Sequence, residues 1–208
     1  MPIGPIVRNL LGPLERPVSE LYRSFFIDLF DLARQTQQWV SASKILELGS
    51  GEGALAERLA EEFPNAHITG IDISSKVGRM FKGDSSRVAF KQITIQDFAK
   101  DNVASFDLLV VCDVMHHIPL EYHKEILTAA RMTLKPGGAL IFKDWDRNST
   151  LVNFFCYVSD RYITGDHIHY KTAEEWRELI KDVFGINSIK SEVRIRPHKN
   201  NIAFLVEV

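Results

Sequence analysis

The stretch Ile45–Ala54, "ILELGSGEGA", leads from an apolar strand through a glycine turn into a helix, and its reading decides the fold. Gly49, Gly51 and Ala54 fit the fingerprint of a backbone that approaches a ligand closely at a helix N-terminus. Two acids, Glu47 and Glu52, sit inside the same stretch, where they would repel a pyrophosphate. No Gly-Lys-Ser/Thr triplet follows to supply the missing positive charge.

Outward from this turn, short β-rich runs alternate with helical patterns from residue 44 onward, the signature of a parallel sheet covered by helices. "KILEL" is the first strand, and "ALAERLAEEF" the first crossover helix, with Leu55, Leu59 and Phe63 at helical spacing before Pro64. "AHITGIDI" predicts a second strand, "SSKVGRMF" a serine-capped helix and "VAFKQIT" a third strand. The continuous apolar run of "FDLLVVCDV" predicts a central strand buried on both faces. Pro119 opens the helix "PLEYHKEILTAARMTL", and "ALIFKDW" is a fifth strand. Thr172 and Glu175 form a capping box for "TAEEWRELIKDVF", with Gly185 as its stop. "INSIKSEVRIR" and "NIAFLVEV" then read as an antiparallel hairpin that completes the sheet. Upstream, "VSELYRSFFIDLFDLARQTQQWV" predicts one N-terminal helix whose stripe of Leu21, Phe25, Leu29 and Ala33 packs on the sheet's flank.

A chain of 208 residues with 45% hydrophobic and 25% charged residues suits a single domain. Its net charge of −2 gives no long-range attraction to nucleic acid or anionic membrane, and "RIRPHK" (Arg194–Lys199) reads as a solvated hairpin tip. The longest apolar run in the middle of the chain, Leu108–Cys112, is far short of the roughly 20 residues of a membrane-spanning helix. The N-terminus lacks the clean apolar core of a signal peptide, and Cys112 and Cys156 form no CxxC, so a reducing cytoplasm is the expected location.

Carboxylates cluster where an open α/β sheet binds its ligand: Glu47, Asp72, Asp97, Asp113 and Asp144 all fall at or after carboxyl ends of strands. Such an edge suits a ligand with positive charge and a ribose but no phosphate, a description that S-adenosylmethionine meets. The motifs "LELGSGEG", "GIDIS", "IQDF", "FDLLVVCDVMHHIP" and "LKPGGALIF", in this order, resemble those of the class I S-adenosylmethionine-dependent methyltransferases over about residues 40–145. "DVMHHIP" is most similar to small-molecule methyltransferases related to the quinone-ring and natural-product enzymes.

The resemblance implies a Rossmann-like seven-stranded sheet, mostly parallel with a C-terminal antiparallel hairpin and with helices on both faces. It divides the single domain into a helical cap (1–43), a cofactor-binding core (44–145), an acceptor-binding insertion (146–171) and a final helix and hairpin (172–208). Gly49, Ser50 and Gly51 would approach the methionine part, with Glu47 on its ammonium; Asp72 would accept both ribose hydroxyls. Ile73 would cover the adenine, Asp97 would accept from its amine and the Phe98 amide would address a ring nitrogen. Cys112, through its carbonyl, or Asp113 would lie by the amino-acid end, although Asp113 and Asp144 equally suit plain strand-end acids.

Methyl transfer requires positioning and, for oxygen or nitrogen acceptors, loss of a proton, so His116 and His117 after the fourth strand are the candidate bases. His167 and His169 in "DHIHY", with Asp166, and the acids of "KDWD" do not amount to a recognisable metal-ligand set, and no metal is expected. The aromatic-rich segment after the fifth strand is too long for a minimal connection. Phe155, Tyr157, Tyr162 and Tyr170, with Tyr22, are its candidate acceptor-binding residues. The expected reaction is methyl transfer to a small, partly apolar or aromatic molecule, with S-adenosylhomocysteine as product and no nucleic-acid partner; the oligomeric state stays open. Rival readings are an RNA or protein methyltransferase, an adenosyl-cofactor binder without transfer, and, from the glycine loop alone, an NAD-dependent dehydrogenase.

Overall fold

The computed structural model describes residues 11–148, 152, 155, 158 and 168–208. Two helices, α1 (Glu15–Phe26) and α2 (Leu29–Trp39), precede β1 (Lys44–Leu48) and α3 (Ala54–Glu62). Next come β2 (His67–Asp72), β3 (Val88–Gln92), α4 (Ile95–Asp101) and β4 (Phe106–Cys112). After two short 3-10 turns follow α5 (His123–Met132), β5 (Leu134–Trp145), α6 (Ala173–Phe184), β6 (Ile189–Arg194) and β7 (Asn201–Glu207). The seven strands form one sheet in the order β3-β2-β1-β4-β5-β7-β6. β1 to β5 are parallel and β7 inserts antiparallel between β5 and β6, as the hairpin reading expected.

Alternation along the strands divides the core between the two faces of the sheet. Ile45, Leu108, Val110 and Ile141 pack with α2 and α3, whereas Leu46, Leu109, Val111 and Phe142 pack with α4, α5 and α6. Strand order reverses between β1 and β4, so the ligand crevice of this fold class opens between their carboxyl ends.

Several local readings change. The N-terminal helix is broken at Ile27, which is extended (φ −147°, ψ 139°), and Asp28 restarts it by accepting from the Asp31 amide. Leu32 and Ala33 are buried on α2, but Leu21 and Phe25 of the expected stripe are 74% and 52% exposed on α1. "SSKVGRMF" forms turns rather than a helix, because Gly78 adopts φ +68° and a Cβ there would lie 2.3 Å from the Phe90 ring. The short helix α4, capped by Thr94, was hidden inside "IQDF". The basic hairpin tip is anchored as well as exposed: Arg196 pairs with Asp31, and Arg194 with Asp146. No described helix is long and apolar enough to cross a membrane.

The capping box forms as expected, with Glu175 N–H donating to Thr172 Oγ1 and Thr172 N–H to Glu175 Oε2. It starts α6 so that Trp176 is fully buried, donates from Nε1 to the Trp145 carbonyl (2.9 Å) and stacks on His123. Trp176→Ala removes this packing and orphans the carbonyl at the end of β5; a loss of roughly 3–5 kcal/mol is expected in urea unfolding. Trp176→Phe should recover most of the packing term but not the hydrogen bond.

Candidate active site

β1 ends in a turn that glycine makes possible. Gly49 and Gly51 have φ of +73° and +49°, and a Cβ on Gly49 would lie 2.3 Å from Val114 Cγ2. The Gly49 and Ser50 amides donate to the Ile71 carbonyl at 2.8 and 3.0 Å, and the Gly51 amide donates to Asp72 Oδ2 at 2.9 Å. The other Asp72 oxygen accepts from Ser74 N–H, which leaves further lone pairs on both oxygens for a diol. Ile73 beside it is 75% exposed.

The two acids of the glycine loop have different fates. Glu52 binds Arg79 (2.7 Å), whose other partner is Glu15, so its charge is matched on the outer side. Glu47 is buried on β1, and its Oε2 has no partner among the described residues. Burial, and secondarily Asp72, push its carboxyl up to about 8. Ser50 Oγ is a second buried polar atom with no described partner, in a space that Gly70 keeps open: a Cβ there would lie 2.7 Å from it.

At the end of β4, Asp113 adopts φ +54° and accepts from Lys143 Nζ at 2.6 and 2.7 Å, while its own amide donates to the Lys143 carbonyl. This double clamp turns the chain into the 3-10 turn Met115–His117. The fully buried Asp144 accepts from the Met115, His116 and Trp145 amides and from His116 Nδ1 at 2.6 Å. Burial pushes the Asp144 carboxyl up, but the charge and hydrogen bond of His116, the Trp145 amide and Lys143 outweigh it and hold the group below its ordinary value. Since an ionised carboxylate only accepts, Nδ1 carries hydrogen and Nε2 is the His116 nitrogen able to take a proton.

His117 lies 4.1 Å from His116 ring to ring, Tyr170 lies 5.2 Å away, and the His169 amide donates to the His116 carbonyl. On the other face of β5, Tyr22 packs edge-on against Phe26, and Phe26 against Trp145. Phe155 is 54% exposed; Tyr157, Tyr162, Asp166 and His167 lie outside the described residues.

One expectation at the adenine end is corrected. The Phe98 amide donates to the Thr94 carbonyl as part of α4, and its ring is in the core against Phe106, so neither addresses a ligand. Asp97 is exposed but its carboxylate already meets Lys100 and the Thr94 hydroxyl. Cys112 Sγ rests 3.7 Å from Asp113.

Asp113, His116 and Asp144 can bring one ligand atom each to within 4.8 Å of one another. The Lys143 ammonium and the His116 N–H already occupy these carboxylates, which makes the cluster an internal ion-pair network. Asp146 likewise serves structure, accepting from the Ala173 amide and Arg194. Sequence reading missed Lys143 and Trp145: "FKDW" reads as a strand end, and only cross-strand register brings Lys143 beside Cys112. A cavity of about 570 Å³ lies elsewhere, between α1, α2 and the start of α3; its lining includes Glu52 and Arg58 but none of Gly49, Gly51, Asp72 or His116.

The site therefore offers an acid-lined cradle of close-approach glycines, two buried polar atoms in need of partners, and a carboxylate-held histidine. These features fit a cationic, ribose-bearing ligand. The methyltransferase-domain family profile matches residues 45–138. The ubiquinone biosynthesis O-methyltransferase of Idiomarina loihiensis is 36% identical over 109 residues, which are 50% of this chain and 43% of that protein. The protein of the same name from Alkalilimnicola ehrlichii is 28% identical over 155 residues, 73% of this chain and 60% of that one. The chain thus spans about half the length of the curated relatives it matches.

Among solved structures, the S-adenosylmethionine-dependent methyltransferase SibL in its apo form superposes with a TM-score of 0.74 at 15% identity, over 96% of this chain and 58% of that one. The Burkholderia thailandensis 1,6-didemethyltoxoflavin-N1-methyltransferase, solved with 1,6-didemethyltoxoflavin and S-adenosylhomocysteine, gives a TM-score of 0.67 at 14% identity over 97% and 87% of the two chains. These likenesses establish the fold, and residues 45–138, with the ordered motifs around the glycine cradle, match the methyltransferase-domain family, so the chain is similar in sequence and fold to the S-adenosylmethionine-dependent methyltransferases.

Proposed function

We infer that the protein transfers the methyl group of S-adenosylmethionine to a hydroxyl oxygen of a small, partly apolar aromatic molecule, with His116 as general base. The observation that carries this reading is the buried His116 Nδ1–Asp144 contact of 2.6 Å, which fixes the tautomer that leaves Nε2 as proton acceptor. The relatives named as O-methyltransferases support oxygen as the acceptor atom. Bound S-adenosylmethionine supplies an electrophilic methyl on a sulfonium.

Gly49 and Gly51 give backbone access, Glu47 meets the ammonium, Asp72 accepts from the ribose hydroxyls, and Ile73 and Asp97 flank the adenine. His116 Nε2 takes the acceptor's hydroxyl proton as the oxygen–carbon bond forms and the carbon–sulfur bond breaks. Asp144 stabilises the resulting imidazolium, and His117 packs beside it as a wall of the site. Tyr22, Phe26, Trp145 and Tyr170 supply aromatic surface for the acceptor. Phe155, Tyr157 and Tyr162 extend that assignment into the segment 146–171, and the acceptor remains a small molecule rather than a nucleic acid.

The direct test is binding: S-adenosylmethionine and S-adenosylhomocysteine should raise the melting temperature and NADH should not. No shift with either adenosyl ligand would sink the proposal. With a panel of substituted phenols and quinols as acceptors, His116→Gln should lower kcat by roughly 10²-fold or more while S-adenosylhomocysteine affinity stays within about twofold.

Glu47 gives a pH signature. Its folded value, about 8, lies above the ordinary 4.5, so the ligand-free folded state holds a proton that the unfolded chain releases. The stability of the ligand-free protein should fall as pH rises between these two values, and Glu47→Gln should flatten that dependence. An ammonium against Glu47 favours its charged form, so S-adenosylhomocysteine should bind more tightly as pH rises from about 6.5 to 8, with release of a proton measurable by calorimetry in two buffers.

A further inference from the structure

We propose that Lys143 binds the carboxylate of the cofactor's amino-acid group while Glu47 binds its ammonium, so that Lys143 distinguishes amino-acid-bearing adenosyl ligands from bare thioadenosines. The proposal rests on the cofactor reading above.

Three observations converge. First, Glu47 and Lys143 lie on one face of the sheet. Ile45 on β1 and Ile141 on β5 belong to the same core layer, and Glu47 and Lys143 each follow by two residues; Cys112, on the intervening β4, packs on that layer too. The Cys112 thiol reports both charges: burial raises its pKa first, Asp113 and Glu47 raise it further, and Lys143 acts against them.

Second, Lys143 is fully buried, and an ammonium has three N–H bonds to satisfy. Both of its short contacts go to the one carboxylate of Asp113, and beyond that the described residues offer only the face of Trp145, 5.3 Å from Nζ. Third, Glu47 Oε2 is buried without a described partner. A lysine committed to Asp113 leaves Glu47, not Asp113, as the acid for the ammonium. A buried acid and a buried ammonium thus lie on one face of the sheet, each short of a partner, and a zwitterion supplies both.

The competing account makes Lys143 only a pin for Asp113, which needs holding in its left-handed conformation. Loosening that pin would weaken every adenosyl ligand alike. Isothermal calorimetry on the full chain with S-adenosylhomocysteine and with 5′-methylthioadenosine, which shares the thioether and adenosine but lacks the amino acid, separates the two.

Lys143→Met should weaken S-adenosylhomocysteine by about tenfold to a hundredfold and leave 5′-methylthioadenosine within about twofold. The double variant Lys143→Met with Asp113→Asn, which leaves no uncompensated carboxylate, should show the same selective loss if the single variant folds poorly. Equal losses for both ligands, or no loss for either, would overturn the proposal. Failure of the unaltered protein to bind S-adenosylhomocysteine would instead overturn the cofactor reading beneath it.

Discussion

The site depends on how closely the turns after β1 and β4 approach each other. At the switch point of the sheet, Val114 occupies the volume that any side chain at Gly49 would claim. Val114 is fixed in turn by the clamp one residue earlier, where Asp113 and Lys143 exchange a backbone hydrogen bond and an ion pair. The glycine cradle, the left-handed Asp113 and the carboxylate-bound His116 are therefore one mechanical unit.

Electrostatics within this unit is short-ranged and self-contained. Lys143 answers Asp113, His116 answers Asp144, and Arg79 answers Glu52, each at hydrogen-bond distance. Glu47 is the acid left over, and burial with the nearby Asp72 pushes its carboxyl up to about 8. The two acids of the glycine loop thus differ in kind: Glu52 is paired with Arg79, whereas Glu47 is buried with an oxygen that has no partner among the described residues.

Much of the architecture was legible because strand alternation, glycine turns and capping boxes are local signals. Thr172 and Glu175 announced α6, and the continuous run of β4 announced a strand buried on both faces. What escaped was set by contacts distant in sequence. Nothing in "SFFIDLF" marks Ile27 as extended, because the break depends on the Asp28 amide donating to the Arg196 carbonyl. "SSKVGRMF" has a serine cap and apolar spacing, but the Phe90 ring claims the space beside Gly78. At the site, the glycines and acids could be listed from motifs, whereas Lys143 could not: a lysine near a strand end reads as solvated until register places it inside.

The hairpin tip ties the far end of the chain to its beginning. The Arg196 carbonyl accepts from the Asp28 amide, the Arg196 guanidinium holds Asp31, Asn201 Nδ2 donates to the Phe26 carbonyl, and His198 Nε2 donates to that of Phe25. The junction between α1 and α2 thus finds its seat only when residues more than 160 positions later are in place. On the ribosome, α1 and α2 emerge well before the hairpin that secures them, and until then the aromatic surface of α1 is open to chaperones and to other nascent chains.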